Sequence, residues 1–166
     1  MLIYNIGVWE QYAFTEQYAF LSDSDASISR LENVNITGTL LLLKRLIPKL
    51  LGSSRPQVIL TSSTSGHRQS GRPDVTLGTA KTALNGIADA LRESFRQQNL
   101  AVTVLQLGYL NTDDPLSTQM ADALERSGGE RIPIHDVVEM VGTLMRLSTA
   151  SFVRELVMPA IRDERF

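Results

Sequence analysis

Residues 58–81, VILTSSTSGHRQSGRPDVTLGTAK, leave the chain little choice of fold. Val58, Ile59 and Leu60 form an unbroken apolar run, the pattern of a strand covered on both faces of a parallel sheet. Ser62, Ser63, Thr64 and Ser65 follow almost at once. Hydroxyls therefore stand at the carboxyl end of the strand, where open α/β sheets bind ligands. A helix is predicted to begin near Thr76, and it carries Lys81 in its first or second turn, close to the same crevice.

The remaining residues extend this pattern in both directions. Leu2-Ile3-Tyr4 reads as a strand at the very start, followed by Asn5-Ile6-Gly7-Val8. The pentapeptide EQYAF occurs at 10–14 and again at 16–20. A six-residue shift does not return to the same helix face, and two copies make no solenoid. A small duplication in a loop or short helix is expected, with aromatics either at a pocket mouth or engaged only in packing. Ser22-Asp23-Ser24-Asp25 supplies N-cap residues for a helix over 24–32. A break is expected near 33–38, then a leucine-rich helix to about Leu51, with Pro48 kinking or shortening its last turns. Leu77, Ala80, Leu84, Ile87, Leu91 and Phe95 form one apolar stripe of a long helix over 76–98, ended by Asn99. AVTVLQL at 101–107 is a third strand, 113–129 is polar and ends in Ser-Gly-Gly, 134–147 is amphipathic, 156–158 is a last short strand, and 162–166 is a charged tail. Strands alternating with helices mean an α/β fold with a parallel sheet, in a single domain over 1–166.

Ser62-Ser63-x-x-Gly66 at a strand end, with Lys81 in the next helix, resembles the short-chain dehydrogenase/reductase family. Three other segments match in order. Tyr4-Asn5-Ile6-Gly7 resembles the family's Asn-Asn-Ala-Gly, Val34-Asn35-x-x-Gly38 its Asn-x-x-Gly helix, and Gly108 with Thr112 its Pro-Gly-x-x-x-Thr turn without the proline. The resemblance implies a Rossmann-like, doubly wound parallel sheet, of which this chain would hold the carboxyl-terminal two-thirds only. It implies Asn35, Ser63 and Lys81 as catalytic residues. Asn5, Gly7, Lys81, Gly108 and Thr112 become contacts of NAD or NADP, a carbonyl or alcohol is the substrate, and 113–129 is a mobile substrate flap.

Two departures bear on activity. The family's proton-transferring tyrosine, four residues before the lysine, is Leu77 here. The Gly-x-x-x-Gly-x-Gly turn that receives a pyrophosphate is absent from the sequence; the nearest glycine pair, Gly66 and Gly71, is misplaced for it. A tyrosine with an ordinary pKa of about 10 becomes a base only beside a cation, and leucine has no proton to give. Tyr109 and His67 are the substitutes within reach of the same sheet end, neither with the helical spacing to Lys81. A Ser63–His67 hydrolase is set aside, because the Gly-x-Ser-x-Gly turn is missing.

Composition narrows the classes further. The chain has 166 residues, a formal net charge of −2 and dispersed basic residues, so nucleic acid is not an expected partner. It has no cysteine and only two histidines, His67 and His135, so no metal site is expected. No apolar run approaches the roughly 20 residues of a membrane span, and Met1–Trp9 lacks the basic flank of a secretion signal. A cytoplasmic, non-membrane protein is expected. Two functions remain open: an NAD(P)-dependent oxidoreductase with a degenerate active site, or a non-catalytic relative serving as an interaction and oligomerisation module. An apolar sheet edge and surplus helix leucines favour a homo-oligomer, a dimer or tetramer, in either case.

Overall fold

The computed structural model describes residues 1–69 and 72–164; residues 70–71, in the loop that carries Gly66, and the last two residues of the charged tail lie outside them. The apolar runs pair as their patterns require. Strand β2 (Gln57–Ser63) lies parallel to β3 (Ala101–Leu107) over its full length, from Gln57 opposite Ala101 to Ser63 opposite Leu107. Strand β1 (Leu2–Tyr4) joins the outer side of β2, with Leu2, Ile3 and Tyr4 opposite Val58, Ile59 and Leu60. A short strand near the carboxyl end, Glu155–Met158, flanks β3, and the order across this sheet is β1, β2, β3, then that strand, all parallel.

This sheet corrects one expectation. A Rossmann-like sheet confined to the carboxyl-terminal two-thirds was anticipated, but the parallel sheet spans nearly the whole chain, from Leu2 to Met158. The physical reason is that the opening residues are full members of the ladder: Leu2-Ile3-Tyr4 is already extended and in register with the central strand.

Helices cover both faces. Helix α1 (Asp25–Glu32) is capped by the Ser24 side chain, which accepts from the Ser27 amide. It does not break at 33–38. The backbone widens into π-type turns over Asn33–Gly38 and runs on as α2 (Thr39–Leu50), passing through Pro48 to its end. Helix α3 (Val75–Ser94) follows β2, and a single tight turn then leads to Asn99 in the left-handed region at φ 55°, which ends the helical stretch as expected. On one face Tyr4, Val58, Leu60, Val102 and Val104 pack with Leu43 and Ile47 of α2 and Ala88 of α3. On the other, Ile59, Leu105 and Leu107 pack with Leu144. That leucine belongs to the last helix, Ile134–Arg146, which starts directly after Pro133. Successive strand residues point to opposite faces, and here both sets are buried.

The polar segment after β3 carries secondary structure of its own. A two-residue strand, β4 (Leu110–Asn111), pairs in parallel with β5 (Ile132–Pro133) and closes the segment at its base. Between them lies α4 (Met120–Ser127), ended by Gly128 at φ 59°; the final helix and the last strand are therefore α5 and β6. Buried Asn111 donates through Nδ2 to Asp114 at 2.7 Å and to Ser127 at 3.1 Å, and Arg126 pairs with Asp114. Among the described residues no helix is long and apolar enough to cross a membrane.

Leu60 is wholly buried at the centre of the sheet. Leu60→Ala is expected to cost about 2–5 kcal/mol, read as a lower denaturant midpoint at an unchanged slope. Ile3→Ala at the open edge, where Ile3 keeps 45% of its surface, is expected to cost less than half as much.

Candidate functional site

The carboxyl ends of β2 and β3 open into a cleft of about 310 Å³. Its floor carries the hydroxyl run that follows β2, and Leu77 and Lys81 of α3 line one side. Trp9, Phe14 and Leu110 make its walls largely apolar.

Gly66 explains how the floor and α3 come together. A Cβ on Gly66 would lie 2.7 Å from the Lys81 carbonyl carbon and 2.9 Å from its Cβ, so only glycine lets the loop approach the helix backbone this closely. The Ser62 hydroxyl donates to the Lys81 carbonyl at 3.2 Å, and Thr82 and Asn85 donate side-chain bonds to the Gly66 carbonyl. Loop and helix are thereby stitched at both the backbone and the side-chain level. Ser63 sits at the end of β2 with its Oγ accepting from the Ser65 amide at 3.1 Å and within 3.2 Å of the Ser65 hydroxyl.

Lys81 is mostly withdrawn from solvent, and its Nζ donates to the Thr61 carbonyl at 3.4 Å. Burial pushes its pKa below the ordinary lysine value of 10.5, since removing water penalises the charged form. No carboxylate pairs with it among the described residues. The turn after β1 closes over the same amine. A Cβ on Gly7 would stand 3.3 Å from Lys81 Nζ and 3.6 Å from Asn35 Oδ1.

Asn35 is 5% exposed and holds that turn in place. Its Oδ1 accepts from the Val8 amide at 2.9 Å, and its Nδ2 donates to the Val8 carbonyl at 2.7 Å. The Asn35 carbonyl accepts from Thr39 Oγ1 at 2.6 Å, which leaves Tyr4 as the donor in the 2.6 Å contact between the Tyr4 and Thr39 hydroxyls. The π-type turns place Asn35 where it can make these bonds, a local geometry often found at functional sites.

The other expected site residues divide. Thr112 lines the cleft and is exposed, and Gly108 lines it beside a close approach of the chain after β6: a Cβ there would meet the Pro159 Cα at 3.2 Å. Asn5 is exposed beyond β1 and lies outside the cleft lining. Of the two substitute bases, Tyr109 lines the cleft while His67 does not; His67 Nδ1 bonds the Arg68 carbonyl at 3.0 Å. Leu77 is 1% exposed and presents only its side-chain carbons to the cleft.

Sequence reasoning passed over the group that anchors α3. Asp74 precedes the helix without capping it, because its Oδ1 instead accepts from the Phe14 amide at 2.9 Å. The free amides of the first turn are taken by the duplicated segment. Glu10, from the first copy, accepts from the Leu77 amide at 2.9 Å, and the Tyr18 hydroxyl, from the second, accepts from the Val75 amide at 3.1 Å. An acid at this end also meets the positive pole of the helix. The loop is tight enough to force Phe14 to φ 68°, where a non-glycine residue is strained. The Phe14 ring then packs edge-on against Trp9 and Tyr109, with centroids 6.0 and 5.5 Å away, and the Arg72 guanidinium lies 4.7 Å above the Tyr109 ring. Arg72 is itself held by Asp163 at 2.5 Å, both side chains buried. The repeated EQYAF was the available signal, but nothing local assigned its polar groups to a helix 67 residues away.

Comparison with known proteins gives the family and the fold. The family model for short chain dehydrogenase matches residues 1–122. Oxidoreductase UcpA of Escherichia coli O157:H7 is 24% identical over 166 residues, 99% of this chain and 59% of the relative. The chain thus spans about three-fifths of the length of the curated relatives it matches. Among solved structures, an alcohol dehydrogenase from the archaeon Thermococcus sibiricus, complexed with 5-hydroxy-NADP, aligns with a TM-score of 0.78 at 15% identity, covering 98% of this chain and 64% of that one. A metagenomic short-chain oxidoreductase in complex with NADP aligns with a TM-score of 0.68 at 21% identity, covering 95% and 61%.

The buried amine has a thermodynamic signature. With its folded pKa lowered, Lys81 binds a proton more weakly in the folded than in the unfolded chain, so folding is penalised while the unfolded chain holds that proton. The stability of the native chain minus that of Lys81→Met is therefore expected to rise with pH between the lowered folded value and 10.5, and to level off above it. Paired urea titrations across that range measure it; a flat difference would mean the amine is fully solvated.

Proposed function

The chain belongs to the short-chain dehydrogenase family, and we propose that its cleft is an oxidoreductase site whose proton-transfer step is impaired. The observation that carries the reading is the convergence of Ser63, Lys81 and Leu77 on one cleft, with Gly7 against the lysine amine and Asn35 beside Gly7. Ser63 would donate a hydrogen bond to the oxygen of a carbonyl or alcohol substrate.

The residues fit one end of a nicotinamide cofactor, NAD or NADP. Lys81 offers a cation without an acid partner to ribose hydroxyls, Gly7 keeps the backbone over it bare, and Thr112 and Gly108 stand at the facing strand end. The sequence offers no glycine-rich turn to a pyrophosphate. Such a cofactor, when bound, supplies or accepts a hydride. Asn5, exposed and outside the cleft, would act on the turn rather than on the cofactor. Asn35 would act as a positioning residue, since both ends of its amide are committed to Val8.

What the site lacks is a group to move the accompanying proton. Leu77 stands one helical turn before Lys81 and has no hydroxyl. A positioned general acid contributes about 10²–10⁴-fold to rate. Leu77→Tyr is accordingly expected to raise NADPH- or NADH-dependent turnover of a panel of ketones and aldehydes by about that factor. Nicotinamide fluorescence titration of both proteins separates lost binding from lost chemistry. Saturable binding without a gain in the variant would sink the role assigned to position 77.

A second reading, an oligomerisation module without catalysis, is favoured by exposed apolar side chains along β1 and α2. Ile3, Leu40 and Leu41 keep 45%, 48% and 46% of their surface. Solution scattering at micromolar concentration is expected to give a dimer or tetramer, and a monomer would remove this reading.

A further inference from the structure

We propose that the cleft captures small apolar aldehydes covalently, as an imine on Lys81. This rests on the shape and chemistry of the cleft, and on no bound nicotinamide.

The observations are independent of one another. Lys81 is the cleft's only lysine, and its amine makes one long hydrogen bond, 3.4 Å to the Thr61 carbonyl, and no ion pair among the described residues. An amine held by a carboxylate would stay protonated; this one has no carboxylate partner among the described residues. Burial favours its neutral, nucleophilic form. Leu77 presents hydrocarbon where a hydroxyl would compete for the amine, and with Trp9, Phe14 and Leu110 it gives the aldehyde's side chain an apolar wall. The Ser63 hydroxyl lines the same floor and can hold the carbonyl oxygen. A cleft of about 310 Å³ accommodates a ligand of benzaldehyde's size.

The step balances without any oxidant or reductant. The neutral amine adds to the carbonyl carbon, a carbon–nitrogen bond forms, and the oxygen takes up a proton that leaves the nitrogen by way of solvent. The resulting carbinolamine loses its hydroxyl as water and becomes the imine. Aldehyde plus amine gives imine plus one water, and dry walls favour that direction.

The sequence makes the test clean, because it has three lysines, and Lys44 and Lys49 are exposed on α2. The full chain is incubated with benzaldehyde at neutral pH without nicotinamide, reduced with borohydride, digested and mapped by mass. The reduced adduct is expected on Lys81 in clear excess over Lys44 and Lys49, since the cleft holds the aldehyde beside it and burial raises the neutral fraction of its amine. Lys81→Arg is expected to abolish that adduct while the exposed lysines keep theirs. Label on Lys81 equal to or below that on Lys44 and Lys49 would overturn the proposal. NADPH titration of the same preparation is read separately, so loss of the oxidoreductase reading leaves this outcome legible, and the reverse.

Discussion

The parallel pairing of β2 with β3 is the constraint on which the rest of the molecule depends. Seven consecutive residues of each strand are in register, and nearly all of their side chains are buried. Because both faces of this pair are apolar, helices must cover both, and the connection between the strands must cross on one side. That crossing is α3. It starts where β2 ends, so the hydroxyl run and the first turns of α3 are brought together by topology before any side chain selects the other. The two-layer cover also explains why a three-residue β1 is enough: Tyr4 drops into the core beneath α2 and bonds Thr39, fixing the turn that follows.

Beside the cleft, two close approaches fix the surroundings of Lys81. Gly66 brings the loop onto the backbone of Lys81, and Gly7 brings the turn after β1 onto its amine. Neither contact tolerates a larger residue without movement, and the one at Gly7 lies directly against the nitrogen. Burying an unpaired ammonium is costly, and such a group shifts its protonation equilibrium instead. The absence of a phenol at Leu77 therefore alters more than one proton transfer. It leaves the half-buried Lys81 amine in a cleft lined by apolar and hydroxyl-bearing side chains, with Arg72 as its other cation.

Much of this was readable in advance, for identifiable reasons. Buried parallel strands announce themselves as continuous apolar runs, and the stripe from Leu77 to Phe95 gave α3 its period and its buried face. Asn99 as the terminator followed from its tolerance of the left-handed region. What could not be read depended on contacts distant in sequence or on backbone geometry without a residue signature. The π-type turns at Asn33–Gly38 looked like a break because Asn-rich segments compete with regular helix. The two-residue strands β4 and β5 are too short for any periodicity, so their pairing left no trace in the sequence. The opening strand at Leu2-Ile3-Tyr4 is legible as an apolar run, whereas the expected extent of the sheet came from the family frame and not from that strand.

The duplicated pentapeptide shows how little a local sequence can determine by itself. Both copies read Glu-Gln-Tyr-Ala-Phe, yet the first contributes its carboxylate to α3 and the second its phenol. Phe14 is bent into the left-handed region between two aromatic rings, whereas Phe20 opens a short helical turn and is exposed. Position relative to the end of α3 has assigned the two copies separate tasks. They differ in use while remaining identical in spelling: each copy grips α3 by a letter that the other leaves idle there, Glu10 in the first and Tyr18 in the second.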